Sequence, residues 1–324
     1  MQPFVQNQEP HDPRDELLSA IDFEKCKVNL SDSPIVLLCG GQANNEKNTP
    51  DDPDLPVQSL RHAIVNHALY HTVPYEIFRP EEIKDWNTDG VFKNLMSFEE
   101  ELANICSLVV VILESAGSIA ELGAFSQLED LSSKLIAIHS GIFNDESSFI
   151  NLGILRYLIG NKRSSVKNYP WDMVSPGLIP NEVVGDIVSD IGNELVRLKK
   201  NSELKLTNGS HVIVLICEII YLFSALKEVE IRRYLLLVGV EITSDDLRRK
   251  LFILGRFRLI NKEKYSDSIF YLRSSGRFHE LRLSFRDGKS KEKLRIQMEC
   301  LQYYNESTIH RHRQRVLAKR RVNR

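Results

Sequence analysis

Cysteine is sparse in this chain: Cys26, Cys39, Cys106, Cys217 and Cys300 are scattered through 324 residues. None falls at the C-x-x-C spacing that grips a metal, and so few, so far apart, make no disulfide framework, which leads to the expectation of a reducing cytoplasm. The nine histidines show no metal-ligand spacing near the acidic loops, so no metal is expected either. Long apolar runs are missing as well. The most membrane-like stretch, Val212 to Leu226, falls short of the roughly 20 residues a bilayer span requires and is interrupted by Glu218, which predicts a buried helix. A secretory leader is not expected, because residues 1–20 are polar and carry Pro3, Pro10 and Pro13 in place of a basic and then an apolar segment. Two phosphate-binding signatures are absent, G-x-G-x-x-G and G-x-x-x-x-G-K-[ST], which disfavours the dinucleotide fingerprint and phosphate-loop ATPase chemistry. No internal repeat is present.

Net charge is low, at -2, but it is unevenly divided. Residues 1–200 carry 16 Lys+Arg against 30 Asp+Glu, and residues 201–324 carry 26 against 14. An asymmetry of this size suits halves that meet different partners, the basic one fitted to phosphates, or halves that dock on each other. The division also follows the hydrophobic pattern. Ile35–Cys39, Tyr75–Phe78, Leu108–Leu113 and Lys134–His139 read as short strands, the third continuously apolar as in a strand buried on both faces. Helices are predicted between them, through about Tyr70, over Ser97–Cys106 and over Ser118–Leu131, with a further one over Phe149–Ile159. Such βαβα alternation predicts an α/β fold with a parallel, doubly wound, Rossmann- or flavodoxin-like sheet. Residues 160–180 look irregular, and a helix is expected from Asn181 to about Lys200. The expected organisation is a flexible arm over 1–32, an α/β domain over 33–200, a boundary at Asn201–Ser210, a mainly helical domain over 211–305 and a mobile basic tail over 306–324. Within the helical domain, His211–Leu226, Glu228–Val238 and Ser244–Phe257 followed by a hairpin around Ser266-Asp267 resemble a winged helix.

In an open parallel sheet, ligands collect in the loops beyond the carboxyl ends of the strands. The loop Cys39-Gly40-Gly41-Gln42-Ala43-Asn44 offers two glycines for close backbone approach, and Gln42 and Asn44 for a sugar or base. The strongest signal is Glu114-Ser115-Ala116-Gly117-Ser118-Ile119-Ala120-Glu121-Leu122-Gly123, running off the most apolar strand into a helix. Small residues Ser115, Gly117 and Ser118 let a sugar or phosphate approach the helix N-terminus. Glu121 points back toward that mouth, where a carboxylate can attack an anomeric carbon or stabilise oxocarbenium-like charge. The competing account is a capping box with Ser118 as N-cap and Glu121 three residues on. Arg79-Pro80-Glu81-Glu82-Ile83-Lys84-Asp85 is the third loop, its carboxylates, Asp85 among them, candidates for ribose hydroxyls or an acid, or simply a solvated helix start. Glu114 is open to two readings, a second active carboxylate or a hydrogen-bonding residue at the loop edge.

The segments L-L-C-G-G, F-R-P-E-E, S-F-E-E-E-L, V-V-V-I-L-E-S-A-G-S-I-A-E-L-G-A-F-S and K-L-I-A-I-H, in that order, resemble the nucleoside 2-deoxyribosyltransferase-like superfamily. More closely, with F-I-N-L-G-I-L-R at Phe149–Arg156, they look like the effector proteins encoded with bacterial retrons, and they add Asn151 to the substrate-binding candidates. The resemblance covers roughly residues 33–160. It implies that Glu121, in the E-L-G segment, is the nucleophile of a glycosyl-enzyme or of its hydrolytic counterpart. It further implies a toxic effector of anti-phage defence that destroys a nucleotide, with NAD the leading substrate and not a resident cofactor. The implied partners are a reverse transcriptase and its branched RNA-DNA, which hold the effector inactive until infection; side-by-side assembly of copies could complete the pocket. The chain departs from the transferases at the preceding loop, where many have an Asp and this one has Glu114-Ser115, which leaves the base open.

In the basic half, Arg248, Arg249 and Lys250 on the third helix and Arg256, Arg258, Lys262 and Lys264 into the hairpin suit phosphate contacts. Tyr265, Phe270 and Tyr271 suit stacking or core. A second class of function also fits the sequence: a non-catalytic regulator that senses a nucleotide and binds DNA. Phosphoribohydrolases and Toll-receptor-like NAD hydrolases share the layout of strand, small-residue loop and helical Glu.

Overall fold

The computed structural model describes residues 10–43, 56–88, 90–141, 148–161, 165–198, 200–274, 276, 278–288 and 292–322. Two compact units divide the chain: one is Asp32–Lys199, and the other takes the chain up to Ser31 and again from Lys200 onward. The charge asymmetry follows this division, with 12 Lys+Arg against 24 Asp+Glu in the first and 30 against 20 in the second.

In chain order, α1 (Arg14–Ser19) and β1 (Lys27–Asn29) precede the Asp32–Lys199 unit. That unit contains β2 (Ile35–Cys39), α2 (Leu60–Tyr70), β3 (Glu76–Phe78), α3 (Leu95–Ile105), β4 (Leu108–Ile112), α4 (Ala116–Ser126), α5 (Glu129–Ser132), β5 (Leu135–Ser140), a π-helical turn (Ile150–Leu155), α6 (Arg156–Asn161), β6 (Val166–Tyr169) and α7 (Asn181–Arg197). The remainder contains β7 (Asn201–Glu203), α8 (Gly209–Leu222), α9 (Glu228–Val238), α10 (Ser244–Arg256), β8 (Ile260–Tyr265), β9 (Ser268–Arg273), β10 (Glu280–Arg282), α11 (Lys293–Glu306) and α12 (Arg311–Val322).

The mixed α/β character expected from the sequence is borne out by a five-stranded, all-parallel sheet in the order β3-β2-β4-β5-β6. Its central strands read IVLLC, LVVVI and LIAIHS and are buried at nearly every position, because helices cover both faces. Val36, Leu38, Val110, Ile112, Ile136 and Ile138 share a core with Leu60 and Ile64 of α2 and Ile187 and Ile191 of α7. The alternate residues Leu37, Cys39, Val109 and Val111 are equally buried on the side where α3 meets β2 and α4 meets β4. One expectation fails here: residues 160–180 are not wholly irregular, since Val166–Tyr169 adds the edge strand β6. The sequence V-K-N-Y has no apolar run to announce it. It is held by the ladder to β5 and by Tyr169 Oη donating to Asp190 of α7 at 2.5 Å.

The other unit corrects two further expectations. The segment assigned to a flexible arm, residues 1–32, is folded where it is described. β1 is the central strand of an antiparallel sheet, β10-β1-β7, in which Val28 faces Leu281 on one side and Ser202 on the other. α1 buries Leu17, Leu18 and Arg14. Likewise, most of the basic tail expected over 306–324 is helix α12, whose Arg313 is only 2% exposed. Arg313 Nη2 donates to both oxygens of Glu230 on α9 at 2.6 and 2.5 Å, and Arg14 Nη1 donates to the same carboxylate at 2.8 Å. Neither burial was readable from composition, because a guanidinium enters a core only where a distant carboxylate compensates it. The apolar run that begins at Val212 lies in α8 and is buried, with Glu218 paired to Lys293 at 2.9 Å. Among the described residues no helix is long and apolar enough to cross a membrane. Helices α8, α9 and α10 and the β8–β9 hairpin stand close to where the sequence predicts them.

Candidate active site

Numbered by its own strands, the parallel sheet has the order 2-1-3-4-5: the chain leaves β2 to one side for β3 and returns to the other for β4. Such a switch opens a crevice beyond the carboxyl ends of the two diverging strands, here β2 and β4. Both loops singled out in the sequence, after Cys39 and after Leu113, leave the sheet at that crevice.

Glu114 resolves first. Its carboxylate accepts from the backbone N–H groups of Gly41 (2.9 Å), Leu60 (2.7 Å) and Arg61 (3.0 Å), the last two being free donors in the first turn of α2. Of its two readings, the hydrogen-bonding one is seen in this structure. The same geometry explains the glycine pair. A Cβ on Gly40 would lie 2.9 Å from Glu114 Oε1, and one on Gly41 would lie 2.8 Å from Ser59 Cβ, so the glycines admit Glu114 and α2. Gln42 is exposed, and its carbonyl accepts from Ser59 Oγ at 2.6 Å. Asn44 lies outside the described residues.

The helix after β4 begins earlier than the sequence reading placed it, and this bears on the capping account of Glu121. Ser115 is the N-cap, its Oγ accepting from Ser118 N at 3.1 Å, and Ser118 Oγ in return accepts from Ser115 N at 3.1 Å. The capping box is therefore Ser115/Ser118, which leaves Glu121, nearly two turns into α4, with no capping duty. Gly117 is exposed, and a Cβ there would touch only Ser115 Oγ, at 3.8 Å.

Glu121 lies among groups brought from four elements. The Cys39 thiol at the end of β2 hydrogen-bonds it. Its Oε2 is buried without a hydrogen-bond partner among the described residues. Burial pushes its pKa up, against the opposing pull of the Cys39 hydrogen bond and the Arg61 guanidinium, and Glu81 pushes it further. Beside it stands Glu99 of α3, 6% exposed, whose pKa is raised to about 7 by burial first and then by the charges of Glu121 and Glu81. Arg61, also buried, reaches Glu81 with both terminal nitrogens and the Leu38 carbonyl with Nη1 at 3.4 Å. Two raised carboxyls, one cation and a thiol thus converge where the strand order reverses, a grouping typical of acid–base and nucleophilic sites.

Glu99, Cys39 and Arg61 were not assigned roles from the sequence, although Glu99 and Cys39 sit in quoted segments. The missed signal was positional: Glu99 shares a helix face with Leu102 and Ala103, so the amphipathic pattern of α3 places a carboxyl inside. Other candidates fall elsewhere. Asp85 is half-buried in the turn after β3, where its carbonyl accepts from Thr88 N and Oγ1. Asn151 is in the π-helical turn, which packs on α4 with Ile154 Cδ1 3.9 Å from where a Cβ on Gly123 would stand.

In the basic unit the α10 cations are largely compensated. Arg248 pairs with Glu228 at 2.9 Å and Asp245 at 3.6 Å, Arg249 pairs with Asp246, and Lys250 is 9% exposed. Arg256 lies over the Phe252 ring at 4.7 Å. Arg258, Lys262 and Lys264 are exposed. Of the aromatics, Phe270 and Tyr271 are core and Tyr265 is 40% exposed.

Comparison with known proteins agrees with this layout. A protein from Escherichia coli named "Retron Ec86 putative ribosyltransferase/DNA-binding protein" is 36% identical over 124 residues, 38% of this chain and 36% of that protein. Another from Escherichia coli, "Retron Ec73 putative ribosyltransferase/DNA-binding protein", is 28% identical over 144 residues, 44% of this chain and 42% of that protein. The chain thus spans well under half the length of these curated relatives. The family described as STM3845 retron effector protein matches residues 57–262, which is most of the sheet, the whole cluster except Cys39, and the helices through to β8. The chain belongs to the STM3845 retron effector family.

Proposed function

We propose that the Asp32–Lys199 unit, read as a flavodoxin-like, nucleoside deoxyribosyltransferase-like domain, cleaves the N-glycosidic bond of a nucleotide, with Glu121 as the nucleophile and NAD as the leading substrate. The observation that carries this reading is the carboxyl pair of half-buried Glu121 and buried Glu99 at the switch point, Glu121 Oε2 being buried and unpartnered among the described residues. The ribosyltransferase names of the relatives lend it support.

In the proposed reaction Glu121 attacks the anomeric carbon, the carbon–nitrogen bond breaks, and its electron pair leaves with the base. From NAD the nicotinamide departs neutral and needs no proton. For a base that must be protonated, Glu99, half ionised near pH 7, is placed to donate one. In the second step water attacks the anomeric carbon, Glu99 takes a water proton, and the glycosyl–Glu121 ester bond breaks to return the carboxylate. Arg61 keeps Glu121 toward its ionised form, and the Cys39 hydrogen bond fixes its orientation.

The other unit, read as winged-helix-like, then supplies control: reverse transcriptase and its branched RNA-DNA hold the effector inactive, a reading supported by the family and by the DNA-binding names of the relatives. The test is chromatographic loss of NAD and common nucleosides with the native protein and with Glu121→Gln. Appearance of nicotinamide only with the native protein is the expected result. Consumption by both proteins removes Glu121 from the chemistry while leaving an enzyme, and consumption by neither, with and without the nucleic-acid partner, leaves a nucleotide-sensing regulator.

A further inference from the structure

The reading of the basic unit as the nucleic-acid-facing half leaves open which surface does the work, and the distribution of uncompensated charge answers it. α10, the helix a winged-helix analogy would send to the nucleic acid, uses Arg248 and Arg249 in ion pairs with its own first turn and with α9, and Lys250 is inside. α12 is different. Buried Arg313 and core residue Val316 fix its rotation, the first on Glu230 and the second among Ala225, Phe270 and Leu272. That rotation turns Arg311, Arg315 and Lys319 outward, all exposed. Placed four residues apart, they form one stripe with a cation about every 6 Å along the helix.

α12 packs on the β8–β9 hairpin through the face of β8 that carries Glu263 and Tyr265, while Lys262 and Lys264 alternate onto the opposite face and stand outside the stripe. Among the described residues, Arg311, Arg315, Lys262 and Lys264 make no ion pair, while Lys319 reaches Glu263 at 3.5 Å. The hairpin also carries Glu263 and, in its turn, Asp267. At the end of the stripe the exposed ring of Tyr265 lies 5.3 Å from that of His312, tilted by 55°. An outward aromatic beside a line of cations is the pattern of single-strand binding, in which phosphates follow the charges and a base stacks on the ring.

We propose that α12 and β8, not α10, form the nucleic-acid surface of this protein, and that it holds a single strand, with the backbone along Arg311, Arg315 and Lys319 and an unpaired base on Tyr265. The proposal rests on the reading of this unit as nucleic-acid-binding.

The experiment measures binding of the full-length protein to a fluorescein-labelled 20-nucleotide DNA strand and to a duplex of the same length, across a salt series. The variants are Arg311→Ala/Arg315→Ala/Lys319→Ala, Arg248→Ala/Arg249→Ala and Tyr265→Ala, with melting curves to verify folding. Expected are a loss of about 2 from the slope of log affinity on log salt for the α12 variant, at about 0.7 per cation removed. The α10 variant should keep the native slope, and Tyr265→Ala should lose about tenfold on the single strand and nothing on the duplex. Retention of the native slope by the α12 variant, or its loss by the α10 variant, overturns the assignment of the surface while leaving nucleic-acid binding intact. A native preference for the duplex overturns the single-strand part. Absence of binding to either probe overturns the underlying reading as well.

Discussion

Replacing Glu99 by Gln should make the α/β unit more stable while impairing its chemistry. Glu99 is 6% exposed, and its pKa stands at about 7 against an ordinary value of 4.5. The folded state therefore holds this proton where the unfolded chain releases it, and stability falls as pH rises from 4.5 through 7. A raised carboxyl of this size costs on the order of 3 kcal/mol once fully ionised. Gln has nearly the same shape and no charge to desolvate, so at pH 8 Glu99→Gln should recover that amount, about 6 to 12 °C in the melting transition of the unit. At pH 5, where native Glu99 is already protonated, the two proteins should melt together. The assay is urea unfolding at both pH values, with the transition of the Asp32–Lys199 unit followed separately. An equal shift at both pH values would refute the argument, because a packing effect does not titrate. Turnover should fall in the same variant, the trade between stability and activity expected of a strained site.

The remaining predictions concern structure around the site and in the basic unit. Glu114→Ala should cost about 1 to 3 kcal/mol in urea unfolding, since it leaves three backbone N–H groups without their acceptor; a neutral result would mean that water replaces the carboxylate. Gly41→Val, whose Cβ would stand 2.8 Å from Ser59 Cβ, should be expressed poorly or melt lower than the native protein, and a native melting temperature would show that α2 can retreat. Glu230→Gln should destabilise the other unit by about 3 to 5 kcal/mol, because Arg14 and Arg313 stay buried without their shared carboxylate; a loss below about 1 kcal/mol would show the pair to be solvated. His310, its pKa lowered to about 4 by burial and then by Arg313 and Arg14, binds its proton more readily when unfolded, so the basic unit should lose stability as pH falls from about 6.5 to 4. His310→Gln should flatten that limb of the pH–stability curve.

Much of the α/β unit was legible because its determinants are local. The runs at Ile35–Cys39, Leu108–Ile112 and Leu135–Ser140 are apolar on both faces, and no other short element reads that way. Glu121 was legible from its loop, yet its release from capping was not: S-x-x-S and S-x-x-E both satisfy the N-cap rule, and only the start of α4 at Ala116 decides between them. Glu114 shows the limit in another way, since its partners lie more than 50 residues away in sequence. β1, β7 and β10 are three residues each and carry no periodicity; they exist through pairing between segments far apart along the chain. Arg14 and Arg313 fall in the segments expected to be a flexible arm and a mobile tail for the same reason, as neither sequence neighbourhood contains Glu230.

The placement of β1 between β7 and β10 also sets an order of events during synthesis. Everything the α/β unit needs has left the ribosome once residue 199 is out, so that unit can fold as soon as its last helix emerges. The other unit cannot close then: β1 waits for its two neighbours, and Arg14 and Glu230 wait for Arg313, more than 100 residues further along the chain than Lys199. A premature stop between residue 199 and Arg313 would therefore release a chain with a complete α/β unit and an unfinished basic one. If the basic unit restrains the chemistry, truncated chains are the forms a cell has most reason to degrade.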